Sequence, residues 1–120
     1  MARADSLGQF EQLVLTAILA LRDDAYGVTI HAKVEALAEP RSVSIGAIYV
    51  TLDRLEDKGF ISSSLSAPTT TRGGRAKRCY VLEGLGEAAL RESAITAKRI
   101  WDHITAVWGN DLARSWRTAC

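Results

Sequence analysis

The segment from Ser44 to Gly59 constrains the fold most, because both limits of a short helix can be read from it. Ser44 is a suitable N-cap residue, and Gly59 stands where a left-handed residue is favoured after a helix. Between them, apolar side chains recur at helical spacing and predict a buried face, formed by Ile45, Ile48, Leu52 and Leu55. A helix with one such face needs neighbouring elements to cover it.

A second helix is predicted immediately before this one. It opens near Tyr26-Gly27 and ends at Glu39-Pro40, since the residue before a proline avoids the helical region. Its buried face is predicted to consist of Ile30, Val34 and Leu37. Because the connection to the third helix is short, the two helices must cross at an angle, which is the geometry of a helix-turn-helix.

A β-hairpin is predicted after the third helix. Phe60-Ile61 opens a strand, residues 68–74 form a turn rich in threonine and glycine, and residues 79–82 (Cys-Tyr-Val-Leu) read as the return strand. A hairpin in this position is the wing of a winged helix-turn-helix, and we call residues 60–82 the wing.

Long helices are predicted at both ends of the chain. The first covers residues 7–21, with Ser6 and Gln9 as a capping box and one wide apolar stripe made of Phe10, Leu13, Val14, Ala17, Ile18 and Leu21. The last begins at Gly84 and stops at Gly109, and its apolar residues alternate in steps of four and three: Leu90, Ala94, Ala97, Trp101, Ile104 and Trp108. Asn110 is a candidate cap for a further short turn with Leu112 and Trp116.

The expected fold class is mostly α with a small β-hairpin (α+β), a winged helix-turn-helix followed by a long C-terminal dimerisation helix. Residues 1–83 are expected to form the DNA-binding domain, and residues 84–120 the dimerisation helix and tail. At 120 residues the chain is the size of a single domain and has room for one modest core, to which both ranges would belong.

Length and cysteine usage favour a cytoplasmic protein with no membrane partner. The longest apolar stretch, Leu13 to Leu21, covers nine residues, whereas a membrane span needs about 20. The first six residues contain no apolar signal region. Cys79 and Cys120 cannot form a disulfide framework, which favours a reducing compartment.

No catalytic constellation is visible, so we expect neither an enzyme nor a cofactor or metal site. The two histidines, His31 and His103, lie on different predicted helices with no cysteine or carboxylate arranged around them. The sequence Arg72-Gly73-Gly74-Arg75 is not a phosphate-binding loop of the nucleotidase type, because no Gly-Lys-Ser/Thr follows it.

Positive charge is concentrated in the wing and in the residues immediately before it. The whole chain carries a net charge of +1, but residues 58–82 contain five cations and no acid: Lys58, Arg72, Arg75, Lys77 and Arg78. Such a segment favours contact with a polyanion, because cationic side chains bind phosphates and release counterions. The alternative is a solvated hairpin tip without a ligand.

The third helix presents a second candidate contact surface. Small residues at Gly46 and Ala47 would let it approach a DNA groove, Val50 or Ala47 would touch a thymine methyl group, and Arg54 would reach phosphate or guanine. The alternative is an ordinary amphipathic surface helix. The candidate DNA-binding residues are Ser44, Gly46, Ala47, Tyr49, Val50, Thr51 (at the margin of the face), Arg54, Arg72, Arg75, Lys77 and Arg78.

These segments together resemble one known family. Tyr26-Gly27, residues 44–61 (SIGAIYVTLDRLEDKGFI), residues 73–82 (GGRAKRCYVL) and Gly86 stand in the order and spacing of the PadR family of bacterial transcriptional regulators. The match runs from about Leu7 to Leu90. Its Gly-x-x-Tyr, Leu-x-x-Leu-Glu-x-x-Gly and Gly-Arg-x-Lys-x-x-Tyr pieces are more specific than a generic winged helix.

The resemblance implies a homodimeric repressor that binds a palindromic double-stranded DNA operator through the third helix and the wing. Tyr49 matches the family's recognition-helix tyrosine, and Arg75 and Lys77 match its wing cations. Ala47 and Val50 depart from the residues common in the family, so no base preference is carried over. Glu83 stands where a threonine usually caps the last helix.

Family dimers form chiefly through the C-terminal helical region, often packed with the first helix. The candidate interface residues are Phe10, Leu13, Ala17, Leu90, Ala94, Ala97, Trp101, Ile104 and Trp108. Trp101 and Trp108 lie seven residues apart on one helix face and are the candidate pocket for a planar apolar small-molecule effector. The alternatives are that the last helix folds back on its own domain and that the indoles only fill the interface.

Two other functions remain as alternatives. A winged helix can serve as a protein–protein interaction module without DNA binding, although its wing would then be expected to be neutral. A regulator whose main role is sensing is also open, in a form that binds small molecules, since a redox or metal sensor would need clustered cysteine or histidine.

Overall fold

The computed structural model describes residues 7–66 and 77–109, and these residues form a mostly helical winged-helix fold. The predicted fold class is confirmed. A 3-10 turn at Arg22–Asp24 closes the first helix. In chain order the elements are α1 (Gln9–Leu21), α2 (Gly27–Ala38), α3 (Ile45–Asp57), β1 (Ile61–Leu65), β2 (Arg78–Leu82) and α4 (Gly84–Trp108).

The N-terminus of α1 differs from the prediction. The helix begins after Gly8, and the Gly8 N–H donates to Glu11 Oε1 at 3.1 Å, so Glu11 supplies the carboxylate in place of the expected Gln9 side chain. Glu11 Oε2 also accepts from Lys58 Nζ at 3.0 Å, which ties α1 to the end of α3. Ser6 lies outside the described residues.

Glu11 is a buried carboxylate with a shifted pKa. Burial by itself raises the pKa of Glu11, but the Gly8 N–H and the Lys58 ammonium outweigh it and bring the pKa below its ordinary value. The ionised carboxylate is therefore part of the folded state at neutral pH.

The core lies where α1, α2, α3, the hairpin and the first turns of α4 meet. Two residues that were predicted to face inward, Leu37 and Ile45, are instead exposed, because the end of α2 and the first turn of α3 extend beyond the core. The largest fully buried side chains are Val14, Leu15, Ile30, Val34, Ile48, Leu52, Leu55 and Ile61.

The end of α3 follows the sequence signal. Gly59 adopts a positive φ of 80°. Its N–H donates to the Glu56 carbonyl at 2.9 Å, and the Phe60 N–H donates to the Leu55 carbonyl at 3.0 Å. Phe60 and Leu55 are both buried, which completes the Schellman arrangement of a helix C-terminus.

The hairpin is antiparallel, with Ile61 opposite Leu82 and Leu65 opposite Arg78. It is joined to the helices by a bridge between Tyr26 and Cys79, next to which the Tyr80 N–H donates to the Ala25 carbonyl at 2.9 Å. The predicted turn at residues 68–74 lies outside the described part of the chain.

The predicted limits of α4 are confirmed, and Gly109 follows the helix with a φ of 72°. Near its start, Gly86 packs against the Phe60 carbonyl so closely that an added Cβ would overlap the oxygen. Glu83 makes no side-chain cap and instead accepts a hydrogen bond from Ser62 Oγ at 2.6 Å. The turn predicted at Asn110, Leu112 and Trp116 falls outside the described residues.

Candidate nucleic-acid interface

The turn between α2 and α3 is fixed by side chains of α2. His31 Nε2 donates to the Val43 carbonyl at 2.6 Å, and the Val43 N–H donates to Glu35 Oε2 at 3.1 Å. Ser44 then caps α3, since its Oγ accepts from the Ala47 N–H at 3.1 Å. The start of α3 is therefore held at a defined position relative to α2, as a recognition helix requires.

The two faces of α3 differ in composition. Ile48, Leu52 and Leu55 are fully buried, as predicted. Thr51 was predicted at the margin of the DNA-binding face, and this prediction is wrong: Thr51 is 4% exposed because it lies within the buried arc of α3, beside Ile48, Leu52 and Leu55. The outward residues are Ile45, Gly46, Tyr49, Val50, Asp53, Arg54 and Asp57, while Ala47 is half-buried.

Tyr49 links α3 to the start of α2. Its hydroxyl lies against Gly27, where an added Cβ would overlap the oxygen and stand 2.6 Å from the ring carbon Cζ. Tyr49, Lys77 and Arg78 line a common cleft of about 390 Å³, together with Tyr26, Gly27, Val28, Thr29 and Tyr80. The cleft therefore brings α3 and the first residues of β2 to one surface.

The two wing cations within the described residues are both placed by contacts with other side chains. Lys77 Nζ lies 5.0 Å from the centre of the Tyr26 ring, within the range of a cation–π interaction. Arg78 donates to Ser63 Oγ at 2.9 Å, and Ser63 in turn donates to Glu56 at 2.9 Å. Both side chains remain exposed. Arg72 and Arg75 fall in the segment 67–76, which the structure does not describe.

Tyr80 contributes a protonated hydroxyl beside this cleft. Burial raises the pKa of the Tyr80 hydroxyl above its ordinary value, with Arg78 opposing the shift and Glu56 and Asp53 adding to it. The phenol therefore stays neutral at physiological pH.

The exposed apolar face of α4 is the second surface of interest. Ala94, Ala97, Trp101 and Trp108 are exposed and Ile104 is half-buried, so these five are accessible to a partner.

Ala17 and Leu90 were predicted at the subunit interface, but both are buried within the protomer. Ala17 is fully buried and Leu90 is 8% exposed, because α1 packs against the start of α4 inside the same chain. Phe10 and Leu13 are half-buried against the same core.

Four large apolar residues that are exposed on α4 were missed: Leu85, Ile95, Ile100 and Val107. Ile100 and Val107 are seven residues apart, beside Trp101 and Trp108, so the heptad spacing could have identified this second row. Ile100 also lines a groove of about 290 Å³ between α1 and α4. The apolar face of α4 is therefore wider than one seam.

The described part of the chain contains neither a candidate metal-binding cluster nor a candidate membrane-spanning helix. Residues 7–66 and 77–109 contain no group of three or more His, Cys, Asp or Glu side chains that could hold a metal ion. No helix in these ranges is both long and apolar enough to cross a membrane.

Solved structures with this fold include several transcription regulators. A PadR family transcription regulator from hypervirulent Clostridium difficile R20291 is 24% identical, with a TM-score of 0.69 over 85% of this chain and 100% of that chain. A PadR-like transcriptional regulator from Bacillus cereus strain ATCC 14579 is 21% identical, with a TM-score of 0.67 over 84% and 92%.

One matching structure contains DNA. Bacillus subtilis PadR in complex with operator DNA is 26% identical, with a TM-score of 0.58 over 72% of this chain and 47% of that chain. No protein of curated function matches the chain significantly.

The family assignment comes from the sequence model of the transcriptional regulator PadR-like family, which matches residues 14–92, more than half of the chain. That range contains the complete helix-turn-helix, the wing and the first turns of α4. The chain belongs to the PadR-like family of transcriptional regulators.

Proposed function

We propose that this protein is a repressor that binds a palindromic DNA operator as a homodimer in the cytoplasm, with no catalytic activity. The observation that carries the proposal is the common cleft of Tyr49, Lys77 and Arg78, in which the recognition helix and the wing form one surface. Phosphate contacts from the wing would position the helix, and the helix would contact base edges in the major groove.

The contact residues of the proposed interface divide by role. Lys77 and Arg78, with Arg72 and Arg75 of segment 67–76, are assigned to phosphates. Tyr49, Val50, Gly46 and Arg54 are assigned to the groove, with Ser44 and Ala47 at the helix start. Thr51 is excluded by its burial.

A selection of duplexes from a random pool tests this function. The protein should enrich a palindromic sequence whose half-sites are one helical turn apart, about 34–36 Å. Fluorescence anisotropy should then measure affinity at least about 10³-fold tighter for that duplex than for random DNA. Equal affinity for both would refute sequence-specific binding.

Dimerisation is assigned to residues 84–120, and DNA binding to residues 1–83. The support is the exposed apolar face of α4, on which Trp101 is 54% and Trp108 47% exposed. Contiguous apolar surface of this kind marks an interface in soluble proteins. Sedimentation at micromolar concentration should give twice the chain mass of 13.0 kDa, and a particle of one chain mass would refute the dimer.

A planar apolar effector is the finer part of the proposal. Trp101 and Trp108 would stand beside the small residues Ala94 and Ala97, and paired indoles suit offset stacking on a flat guest. Such a ligand would release DNA only if it favoured a dimer with wrongly spaced recognition helices. Tryptophan fluorescence titrated with flavins, phenolic acids and cationic dyes tests this, and no quenching by any of them would leave the indoles as packing residues.

A further inference from the structure

The outward face of α3 carries a carboxylate at its centre. Gly46, Val50, Asp53 and Asp57 are spaced by four, three and four residues, so they form one stripe opposite the buried face. All four are exposed, and Val50 is 57% exposed. If α3 enters a major groove, as the proposed function requires, Asp53 faces the bases with Val50.

The two acids of this stripe repel each other along the helix. Asp53 and Asp57 are four residues apart, and like charges at this spacing cost about 0.2–0.5 kcal/mol in a helix. Asp57 is also the last residue of α3, where the helix dipole disfavours an anion. No ion pair or hydrogen bond to the Asp53 carboxylate is present within residues 7–66 and 77–109.

A carboxylate that faces DNA is selective by its chemistry. It only accepts hydrogen bonds and is repelled by phosphates, so the favourable partner in a major groove is the exocyclic amine of cytosine (N4) or adenine (N6). Within the stripe, Gly46 and Val50 offer the groove no polar side-chain atom, so its side-chain acceptors are the carboxylates of Asp53 and Asp57.

The spacing along the helix fits adjacent bases. Asp53 lies three residues beyond Val50, about 4.5 Å along the helix axis. Successive bases are about 3.4 Å apart along a DNA strand. An amine bound by Asp53 would therefore belong to a base pair next to the one that Val50 contacts.

We propose that Asp53 is a specificity-determining residue, which accepts a hydrogen bond from the exocyclic amine of one cytosine or adenine in each operator half-site. This inference rests on the proposed function, and it goes beyond it by naming the base chemistry that the recognition helix selects.

The test uses the full-length protein and the duplex that it enriches from a random pool. Each cytosine and adenine of a half-site is replaced in turn by an analogue without the amine, a pyrimidinone or a purine nucleoside. Affinity is measured for the wild type, for Asp53→Ala, and for Asp57→Ala as the control with the same loss of charge on the same stripe. Circular dichroism checks that both variants fold, as expected for exposed positions.

At one position, removal of the amine should weaken DNA binding by the wild type and by Asp57→Ala about tenfold, but leave the affinity of Asp53→Ala unchanged. A pyrimidinone or a purine at that position identifies the partner as cytosine or adenine. Asp53→Ala should also bind the enriched duplex more weakly, although removal of a negative charge alone would tighten binding to all DNA.

Two results would overturn the inference. In the first, Asp53→Ala and Asp57→Ala change the affinity for enriched DNA and for random DNA by the same factor. The protein would then still bind DNA, and only the role of Asp53 would be refuted. In the other, no amine position distinguishes Asp53→Ala from the wild type. If the wild type enriches no duplex at all, the proposed function fails as well.

Discussion

Replacement of Gly86 by alanine tests the junction between α4 and the wing. A Cβ at this position would overlap the carbonyl oxygen of Phe60 and stand 2.9 Å from its carbonyl carbon, both of them backbone atoms. The carbonyl also accepts from the Glu83 N–H at 2.9 Å, so it cannot move without breaking that hydrogen bond. Overpacking of this kind costs about 1–3 kcal/mol.

Gly84→Ala is the matched control for Gly86→Ala. It lies in the same first turn of α4, and an added Cβ there meets no atom within 4 Å. Alanine is intrinsically more favourable than glycine in a helix by about 1 kcal/mol, and both variants share part of this gain. We therefore expect Gly84→Ala to be neutral or stabilising, and Gly86→Ala to be less stable than Gly84→Ala by about 1–3 kcal/mol.

Thermal and urea unfolding followed by circular dichroism measure this difference. For a chain of this size, 1 kcal/mol corresponds to about 4 °C in Tm, so the two variants should differ by about 4–12 °C. Equal Tm values would show that Gly86 does not lie against the Phe60 carbonyl, and the close packing of α4 on the wing would be refuted.

Three further predictions concern the α1–α3 ion pair, the cleft and α4. Glu11→Gln should lower the free energy of unfolding by about 1.5 kcal/mol at pH 7. Because the pKa of Glu11 in the folded protein is below its ordinary value of 4.5, this loss of stability should shrink as the pH falls below 4.5. If urea titrations give the same loss of stability at every pH, the ion pair with Lys58 would be contradicted. Gly27→Ala should displace the Tyr49 ring and weaken operator binding about tenfold, which is about 1.4 kcal/mol, with little change in Tm. If fluorescence anisotropy gives the same affinity for this variant as for the wild type, Tyr49 takes no part in DNA recognition. Trp101→Glu should sediment as a single 13.0 kDa chain, and an intact dimer would place the interface elsewhere.

The sequence was sufficient wherever a helix limit depends on its own residues. Ser44 and Gly59 delimit α3 through a side-chain cap and a positive φ, and both act within a few residues of the helix. The same holds for Gly109 after α4. The start of α1 was misplaced because its cap uses Glu11, whose carboxylate is also held by the distant Lys58.

Which side chains are buried depends on tertiary packing, and the spacing of apolar residues along the sequence does not specify that packing. Thr51 was predicted to be accessible at the margin of the outer face, but the buried arc of α3 is wide enough to include it. Leu90 was assigned to a subunit contact, but the core of its own protomer covers it. The bridge between Tyr26 and Cys79 joins residues far apart in sequence and has no local pattern.

The salt dependence of DNA binding shows whether α3 and the wing form a DNA-binding surface. Affinity for an enriched duplex is measured from about 50 to 200 mM salt for three proteins. They are the wild type, a wing variant that combines Lys77→Ala and Arg78→Ala, and a control α4 variant that combines Arg91→Ala and Lys98→Ala. The wing variant should bind more weakly and flatten the log–log slope by about 0.9 for each phosphate that it no longer neutralises, while the α4 variant keeps the wild-type slope. Equal slopes and affinities for all three proteins would show that Lys77 and Arg78 neutralise no phosphate, and that α3 and the wing do not form a DNA-binding surface.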